Sequence, residues 1–117
     1  MRALLVCTLL VPALAMAQAV IKTIDAPDTN VSGLAWSDSD MLWAVDETTD
    51  YVYEVDPDDG SVLSSFYFAH SSTYVPNGLA YGQNLVYVAA WNNGTTAYIY
   101  KYTPGGAYQG MVSMCGG

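Results

Sequence analysis

Positive charge is scarce in this sequence. Only three of its 117 residues are Lys or Arg, against eleven Asp or Glu, which gives a formal net charge of −8 at pH 7. A surface with this balance repels the phosphates of nucleic acids and the headgroups of anionic bilayers. We therefore expect neither a nucleic acid nor a membrane among the partners of this protein.

Histidine and cysteine are also nearly absent. His70 is the one histidine, so a single chain cannot build a two-histidine metal centre. The sequence has no Gly-x-Ser-x-Gly, Cys-x-x-Cys or His-Glu-x-x-His motif and no phosphate-binding glycine loop. These absences predict no catalytic residues and no cofactor, and they favour a protein that is not an enzyme. Cys7 lies in the apolar N-terminus, which leaves Cys115 without a partner for an internal disulfide.

Long apolar runs are missing except at the N-terminus. Arg2 is followed by an apolar stretch over residues 3–14, and Ala15-Met16-Ala17 fits the small-x-small pattern that signal peptidase cleaves. The run is too short to cross a bilayer as a helix. It predicts a signal peptide over residues 1–17, cleavage before Gln18 and a secreted or periplasmic protein.

What the sequence does contain is an internal repeat of about 45 residues. Three segments recur in the same order: Gly33-Leu34-Ala35-Trp36 as Gly78-Leu79-Ala80-Tyr81, Met41-Leu42-Trp43-Ala44-Val45 as Leu85-Val86-Tyr87-Val88-Ala89, and Tyr51-Val52-Tyr53-Glu54-Val55 as Tyr98-Ile99-Tyr100-Lys101-Tyr102. Each segment is a short β-branched or aromatic run between turn-forming residues, which is typical of β-strands. Four antiparallel strands in about 40–50 residues form one blade of a β-propeller.

The repeat predicts an all-β fold, a partial β-propeller over residues 18–117. Blade one spans 31–68 and blade two spans 76–112. Their predicted strands are 31–37, 41–46, 51–56 and 61–68, then 76–81, 85–90, 97–102 and 107–112. One further outer strand is predicted at 20–25, because this β-branched run precedes the first repeat as Val62–Phe66 precedes the second.

Several motifs connect these blades to known propellers. Gly-Leu-Ala-Trp at 33–36, Leu-Trp-Ala-Val-Asp at 42–46 and Tyr-x-Tyr-x-Val-Asp-Pro-x-x-Gly at 51–60 resemble the blades of secreted NHL-like and YVTN-like propeller proteins. The resemblance covers essentially the whole mature chain. It implies the propeller architecture, which serves enzymes, binding proteins and scaffolds alike.

The segment Pro76-Asn77-Gly78-Leu79-Ala80 is also similar to one in gluconolactonase- and regucalcin-type propellers. In that family the Asn is a ligand of a central divalent metal, which makes Asn77 the one candidate metal ligand. The family's site needs carboxylates from other blades, and Ser32 stands at the corresponding position of blade one. Asn-Gly at the start of a strand also fits a turn. We therefore expect no bound metal.

One face of a propeller collects the loops between the middle strands and the loops that lead to the next blade. Here those loops are the longer ones, and loops of this kind carry binding sites. The candidate ligand-binding residues are Glu47, Asp50, His70, Tyr74, Asn77, Trp91, Asn92 and Asn93. Aromatic rings beside amides and acids suit a neutral, hydroxyl-rich ligand such as a glycan. A protein ligand and a solvated face without any ligand are the alternatives.

Three interpretations of the function stay open at this point. The first is a secreted binding or scaffolding module that takes a glycan or protein ligand through the long-loop face. The second is a fragment of a propeller enzyme, lactonase-like or cyclotransferase-like. The third is an incomplete gene product without independent function.

Two blades are fewer than the four to eight of closed propellers. Blades bury their apolar faces against neighbours, so two of them leave two sheet faces exposed to water. We therefore expect residues 18–117 to self-associate, which would complete a propeller, or to aggregate. The two predicted outer strands, 20–25 and 107–112, compete for one position, as in a piece of a longer array.

Overall fold

Eight β-strands account for the regular structure. The computed structural model describes residues 19–20, 22–92 and 96–114. The strands are β1 (Val31–Trp36), β2 (Leu42–Asp46), β3 (Tyr51–Val55), β4 (Val62–Tyr67), β5 (Val75–Gly82), β6 (Leu85–Asn92), β7 (Thr96–Tyr102) and β8 (Tyr108–Ser113). The described ranges contain no helix long and apolar enough to span a membrane. The predicted signal peptide and Cys115 lie outside the described residues.

The strands form two antiparallel four-stranded sheets in which neighbours in sequence are neighbours in space. The first sheet has the order β1-β2-β3-β4 and the second the order β5-β6-β7-β8. Every strand begins and ends within two residues of its predicted range. The fold is therefore all-β, as predicted, with one four-stranded sheet for each repeat.

The turn between β3 and β4 shows how the sequence ends one strand and starts the next. The Asp56 carbonyl accepts a hydrogen bond from the Gly60 N–H at 2.8 Å, and the Asp56 carboxylate accepts one from the Asp58 N–H at 2.8 Å. Gly60 has a φ of 81°, a left-handed conformation that glycine adopts without strain. This segment is a hairpin turn, as its Pro-Asp-Asp-Gly sequence predicts.

The hydrophobic core lies between the two sheets. We call the face of each sheet that contacts the other its near face and the opposite one its far face. Buried near-face residues are Trp43, Val45, Val52 and Phe66 from the first sheet, and Val86, Val88, Ala90, Tyr100 and Tyr102 from the second. Because successive residues of a strand point to opposite faces, the intervening residues lie on the far faces. Burial of Tyr102 raises the pKa of its hydroxyl to about 12.

Glycine allows the first strands of the two sheets to touch. A Cβ added to Gly33 would lie 2.9 Å from the Cα of Gly78 and 3.1 Å from its carbonyl carbon. The two glycines occupy the same position of the repeat. Next to this contact, the Ser32 hydroxyl lies 3.3 Å from the carbonyl oxygen of Pro76. At β1 and β5 the two sheets are therefore in backbone contact, in addition to the apolar packing between them.

The N-terminal segment is not the outer strand predicted at 20–25. Val20 and residues 22–25 form no strand. Residues 22–30, which we call the strap, cross the far face of the first sheet from one end to the other. Lys22 Nζ lies 3.3 Å from Asp58 Oδ1 at one end, and the Asn30 N–H donates to the Asp46 carboxylate at 2.6 Å at the other.

The strap takes this path because its apolar residues find an open apolar surface. β8 already pairs with β7 along the edge of the second sheet that an added outer strand would occupy. The far face of the first sheet instead presents Leu42 and Val55, and Ile24 and Pro27 of the strap lie over them around a common cavity. The prediction of an outer strand was wrong because burial on a sheet face replaced pairing at a sheet edge.

Candidate functional site

The loop between β2 and β3 and the loop between β4 and β5 meet, as the predicted long-loop face requires. The Asp50 carbonyl accepts a hydrogen bond from the Phe68 N–H at 2.8 Å. Burial raises the pKa of the Asp50 carboxyl above its ordinary value, although a hydrogen bond from Ser71 partly opposes this effect. Asp50 therefore braces the two loops against each other.

Glu47 contacts the strap. Its Oε1 accepts a hydrogen bond from Asn30 Nδ2 at 3.0 Å, and the same amide lies 2.9 Å from Thr48 Oγ1. The carboxylate thus fixes the point at which the strap enters β1.

His70 lies at the edge of the core between the sheets. Its ring stacks on Tyr100, with centroids 4.4 Å apart and an interplanar angle of 23°, and lies 4.9 Å from the ring of Tyr108. The side chain is partly buried by these contacts. Its described environment is an aromatic cluster that joins the β4–β5 loop to the outer strand of the second sheet.

Tyr74 and Trp91 lie on opposite faces of the second sheet. The Tyr74 ring packs edge-on against Tyr98, at 5.3 Å and 85°, and joins the near-face core. Trp91 follows the buried near-face residue Ala90 in β6, so its side chain lies on the far face. The structure therefore does not bring these two candidate ligand residues to one surface.

Asn77 and Trp91 do come together. The register of β5 shifts between Pro76 and Gly78, which places Asn77 in a bulge. With the amide oriented to satisfy both neighbours, its oxygen accepts a hydrogen bond from Trp91 Nε1 at 2.9 Å and its nitrogen donates to the Ala89 carbonyl at 3.2 Å. The amide therefore fixes the orientation of an indole ring that is 39% exposed.

The repeat is visible in these hydrogen bonds. Ser32, which corresponds to Asn77, lies 3.4 Å from the carbonyl oxygen of Val45, which corresponds to Ala89. The side chain at this position of the repeat thus lies near the equivalent backbone carbonyl in each sheet.

In the described ranges, no group of three or more His, Cys, Asp or Glu residues is placed to hold a metal ion. The Asn77 oxygen is engaged by the indole instead.

Asn92 is the last residue of β6, next to the loop that leads to β7. Its Oδ1 accepts a hydrogen bond from the Thr96 N–H at 2.8 Å. This contact joins the end of β6 to the start of β7, next to Trp91. Asn93, another candidate ligand residue, lies outside the described residues.

Asp46 holds the end of the strap, a role that the sequence analysis missed. The carboxylate is fully buried and accepts hydrogen bonds from the N–H groups of Asn30 at 2.6 Å and of Thr48 and Thr49 at 2.8 Å each. Burial raises the pKa of Asp46, but these three hydrogen bonds outweigh it and leave the pKa below its ordinary value. An Asp at the end of a buried strand and before Glu-Thr-Thr was the available signal.

Asp28 ties the strap to the first sheet. Its Oδ2 accepts hydrogen bonds from Thr49 Oγ1 at 2.6 Å and from the Tyr53 hydroxyl at 2.7 Å. These hydrogen bonds lower the pKa of the Asp28 carboxyl. Both donors belong to the far face and loop end of the first sheet, so Asp28 anchors the middle of the strap.

An apolar cavity of about 170 Å³ lies between the strap and the first sheet. Its lining consists of Ile24, Asp25, Ala26, Pro27, Val31, Leu34, Leu42, Ala44 and Val55. Hydrocarbon side chains dominate this set, and the one acidic residue has no second charged group beside it in the lining. The cavity can take apolar atoms, but it does not assemble the acid, base and nucleophile that catalysis requires.

Comparison with known proteins assigns the chain to no family. No protein-family model matches it, and no curated protein matches it. Among solved structures, it is similar to the PQQ-bound aldose sugar dehydrogenase from Streptomyces coelicolor, with 16% identity, a TM-score of 0.41 and coverage of 73% of this chain. The chain spans 30% of that protein. A TM-score this low carries no argument about fold family, cofactor or activity.

Proposed function

We propose that this chain is an exported, non-catalytic binding module made of two β-propeller blades. Two observations support the architecture: each repeat forms one four-stranded antiparallel meander, and the two meanders pack face to face. In the proposed function, the ring of Trp91 stacks on a neutral, hydroxyl-rich ligand such as a glycan. The signal-peptide pattern of residues 1–17 supports the proposed export.

The fixed indole of Trp91 is the observation that carries this proposal. Its N–H is held by Asn77, so the ring cannot rotate freely, and part of its surface remains in water. A side chain that is already ordered loses little conformational entropy when a ligand binds. Sugar rings present C–H groups on one face, and these stack on aromatic rings. The arrangement therefore suits a pyranose better than a charged ligand.

Charge restricts the ligand further. With a net charge of −8, the protein repels polyanionic ligands such as sulfated or uronic-acid-rich glycans at low ionic strength. Neutral oligosaccharides lack this penalty. Val75 and Ala97, which flank Trp91 on the neighbouring strands, extend the surface with apolar side chains. The ligand class that fits is a neutral glycan.

The test compares two exposed tryptophans. Trp91→Ala removes the proposed platform, while Trp36→Ala removes a tryptophan of the first sheet that is 55% exposed. On an array of neutral oligosaccharides, we expect the wild-type protein to bind, Trp91→Ala to bind about tenfold more weakly or worse, and Trp36→Ala to bind like wild type. Circular dichroism checks that each variant is folded.

Two results would contradict the proposal. One is an equal loss of binding in both tryptophan variants, which would indicate non-specific adsorption. The other is no binding of any neutral glycan by the folded wild-type protein. Asn77→Leu adds a second readout, because it frees the indole without removing it and should weaken binding less than Trp91→Ala does.

A further inference from the structure

The far face of the second sheet is open and mostly apolar, and Lys101, which pairs with Tyr87, is the one charged residue that the described strands place on it. Its residues alternate with the buried near-face residues along β5 to β8, and cross-strand pairs such as Ala80 with Tyr87, and Ile99 with Val112, lie side by side on it. Val112 is 53% exposed. Within the described part of the chain, no further strand or segment is placed over this face.

The repeat identifies what this face is shaped to contact. Its residues Ala80, Tyr87, Ala89 and Ile99 correspond to Ala35, Trp43, Val45 and Val52 on the near face of the first sheet. Those four positions of the first sheet pack against the second sheet in the core. The far face of the second sheet therefore repeats a surface that already forms a sheet-to-sheet interface within the chain.

The complementary surface also exists, on the far face of the first sheet. Its residues Leu34, Leu42, Ala44, Tyr53 and Val55 correspond to Leu79, Val86, Val88, Tyr100 and Tyr102, which form the near face of the second sheet. The two far faces thus reproduce the two halves of the internal interface. They point away from each other, so one chain cannot bring them together.

We propose that the far face of the second sheet docks on the far face of the first sheet of a second copy of this chain, and that the strap competes for that surface. This inference concerns assembly and goes beyond the proposed ligand binding at Trp91. Such contacts are head-to-tail, and head-to-tail contacts close into rings when the rotation between copies allows it. Two, three or four copies would then supply the four to eight blades of a closed propeller.

The strap covers its surface less completely than a sheet does. Leu34 and Trp36 on the far face of the first sheet remain 59% and 55% exposed, whereas the interface residues Val86 and Val88 are 0% exposed. The cavity of about 170 Å³ also lies between the strap and the sheet. A four-stranded sheet in the same place would bury this surface more fully, which favours exchange of the strap for a second copy.

The anchors of the strap can be weakened without changing either sheet's apolar surface. The ion pair of Lys22 with Asp58 is exposed and contributes little to stability. The hydrogen bonds of Asp28 with Thr49 and Tyr53 are the stronger attachment. Asp28→Ala removes both bonds and leaves the far faces unaltered.

Sedimentation equilibrium of the full secreted chain over a wide concentration range tests the proposal. We expect the mass to rise in whole multiples of the monomer mass. Asp28→Ala should lower the concentration of half-association about tenfold, because the loss of these hydrogen bonds weakens the competing strap. Val112→Glu should abolish association in the wild-type and the Asp28→Ala backgrounds, since it places a charge in the docking face. Gln109→Glu, which adds the same charge at an exposed position of β8, should associate like wild type.

Several outcomes would overturn the inference. They are association that survives Val112→Glu, association that Gln109→Glu abolishes equally, and monomers at every concentration for both wild type and Asp28→Ala. If Asp28→Ala fails to fold, Thr49→Val removes one of the two hydrogen bonds and leaves both far faces unaltered, and it should shift half-association in the same direction. Trp91 lies on the same far face, so docking would cover it and exclude a glycan there. Glycan binding is therefore measured on monomers below the association range, where it can fail or succeed independently of assembly.

Discussion

The Asp46 side chain connects three parts of the N-terminal half of the structure. Its carboxylate accepts three backbone hydrogen bonds, one from the strap and two from the turn after β2. A buried carboxylate is costly unless such donors surround it. Asp46 therefore joins the strap, the first sheet and the β2–β3 turn in a single contact.

We predict that Asp46→Asn lowers the free energy of unfolding at pH 7 by about 2 kcal/mol, since an amide accepts fewer of these hydrogen bonds. The folded-state pKa of Asp46 lies below its ordinary value of 3.8. Its contribution is therefore fully present above pH 3.8 and is lost as the pH falls through the folded-state pKa. Urea unfolding between pH 7 and pH 2.5 should show a smaller acid dependence in Asp46→Asn than in wild type.

Asp40→Asn provides the matched control for this prediction. Asp40 is exposed and has a φ of 61°, a conformation that Asn tolerates well. Its variant should keep the wild-type free energy of unfolding at pH 7. Equal losses in both variants would show that Asp46 has no special role.

At the scale of the elements, the packing of β1 against β5 depends on the absence of a side chain. The backbones approach so closely at Gly33 that a methyl group would overlap Gly78. Strands normally disfavour glycine, which has no side chain to pack. Here the close approach of the two sheets offsets that cost.

We predict that Gly33→Ala lowers the free energy of unfolding by about 1–3 kcal/mol, because the sheets must separate to admit the methyl group. Gly82→Ala is the control: nothing lies within 4 Å of its added Cβ, and it should leave stability unchanged or slightly raised. Thermal unfolding of the two variants gives the comparison. A Gly33→Ala protein as stable as Gly82→Ala would contradict the described contact.

At the scale of the whole molecule, the far faces of the two sheets differ from each other. The strap covers much of one far face, and the other far face is open in the described part of the chain. The two far faces also differ in their residues, because each corresponds to a different half of the internal sheet-to-sheet interface. The proposed head-to-tail assembly follows from this difference, and the proposed ligand surface at Trp91 lies on the open far face.

Export is the prediction that belongs to the whole chain. The pattern of Arg2, the apolar run and Ala15-Met16-Ala17 predicts a mature protein that begins at Gln18. N-terminal sequencing of material recovered outside the cytoplasm should therefore start at Gln18. Secreted protein that retains Met1 would show that the segment is not a cleaved signal.

The sequence alone determined the eight strands and their grouping. Alternating β-branched and aromatic residues between turn formers define strands locally, and the repeat assigns four of them to each sheet. It also named Asn77 and Trp91 among the candidate ligand-binding residues of the long-loop face, which stays a prediction. These features need only information from neighbouring residues and from the comparison of two similar segments.

Only the tertiary structure decided where the strap lies and which side chains share a face. Residues 20–25 have a strand-like pattern, but whether they pair at an edge or cover a face depends on which apolar surface other elements leave open. Similarly, the bulge at Asn77 and the alternation of residues along β6 place Trp91 and Tyr74 on opposite faces of the second sheet. In any strand, a register shift of one residue moves every side chain to the opposite face of the sheet. Such outcomes depend on contacts between distant segments, which local sequence patterns do not encode.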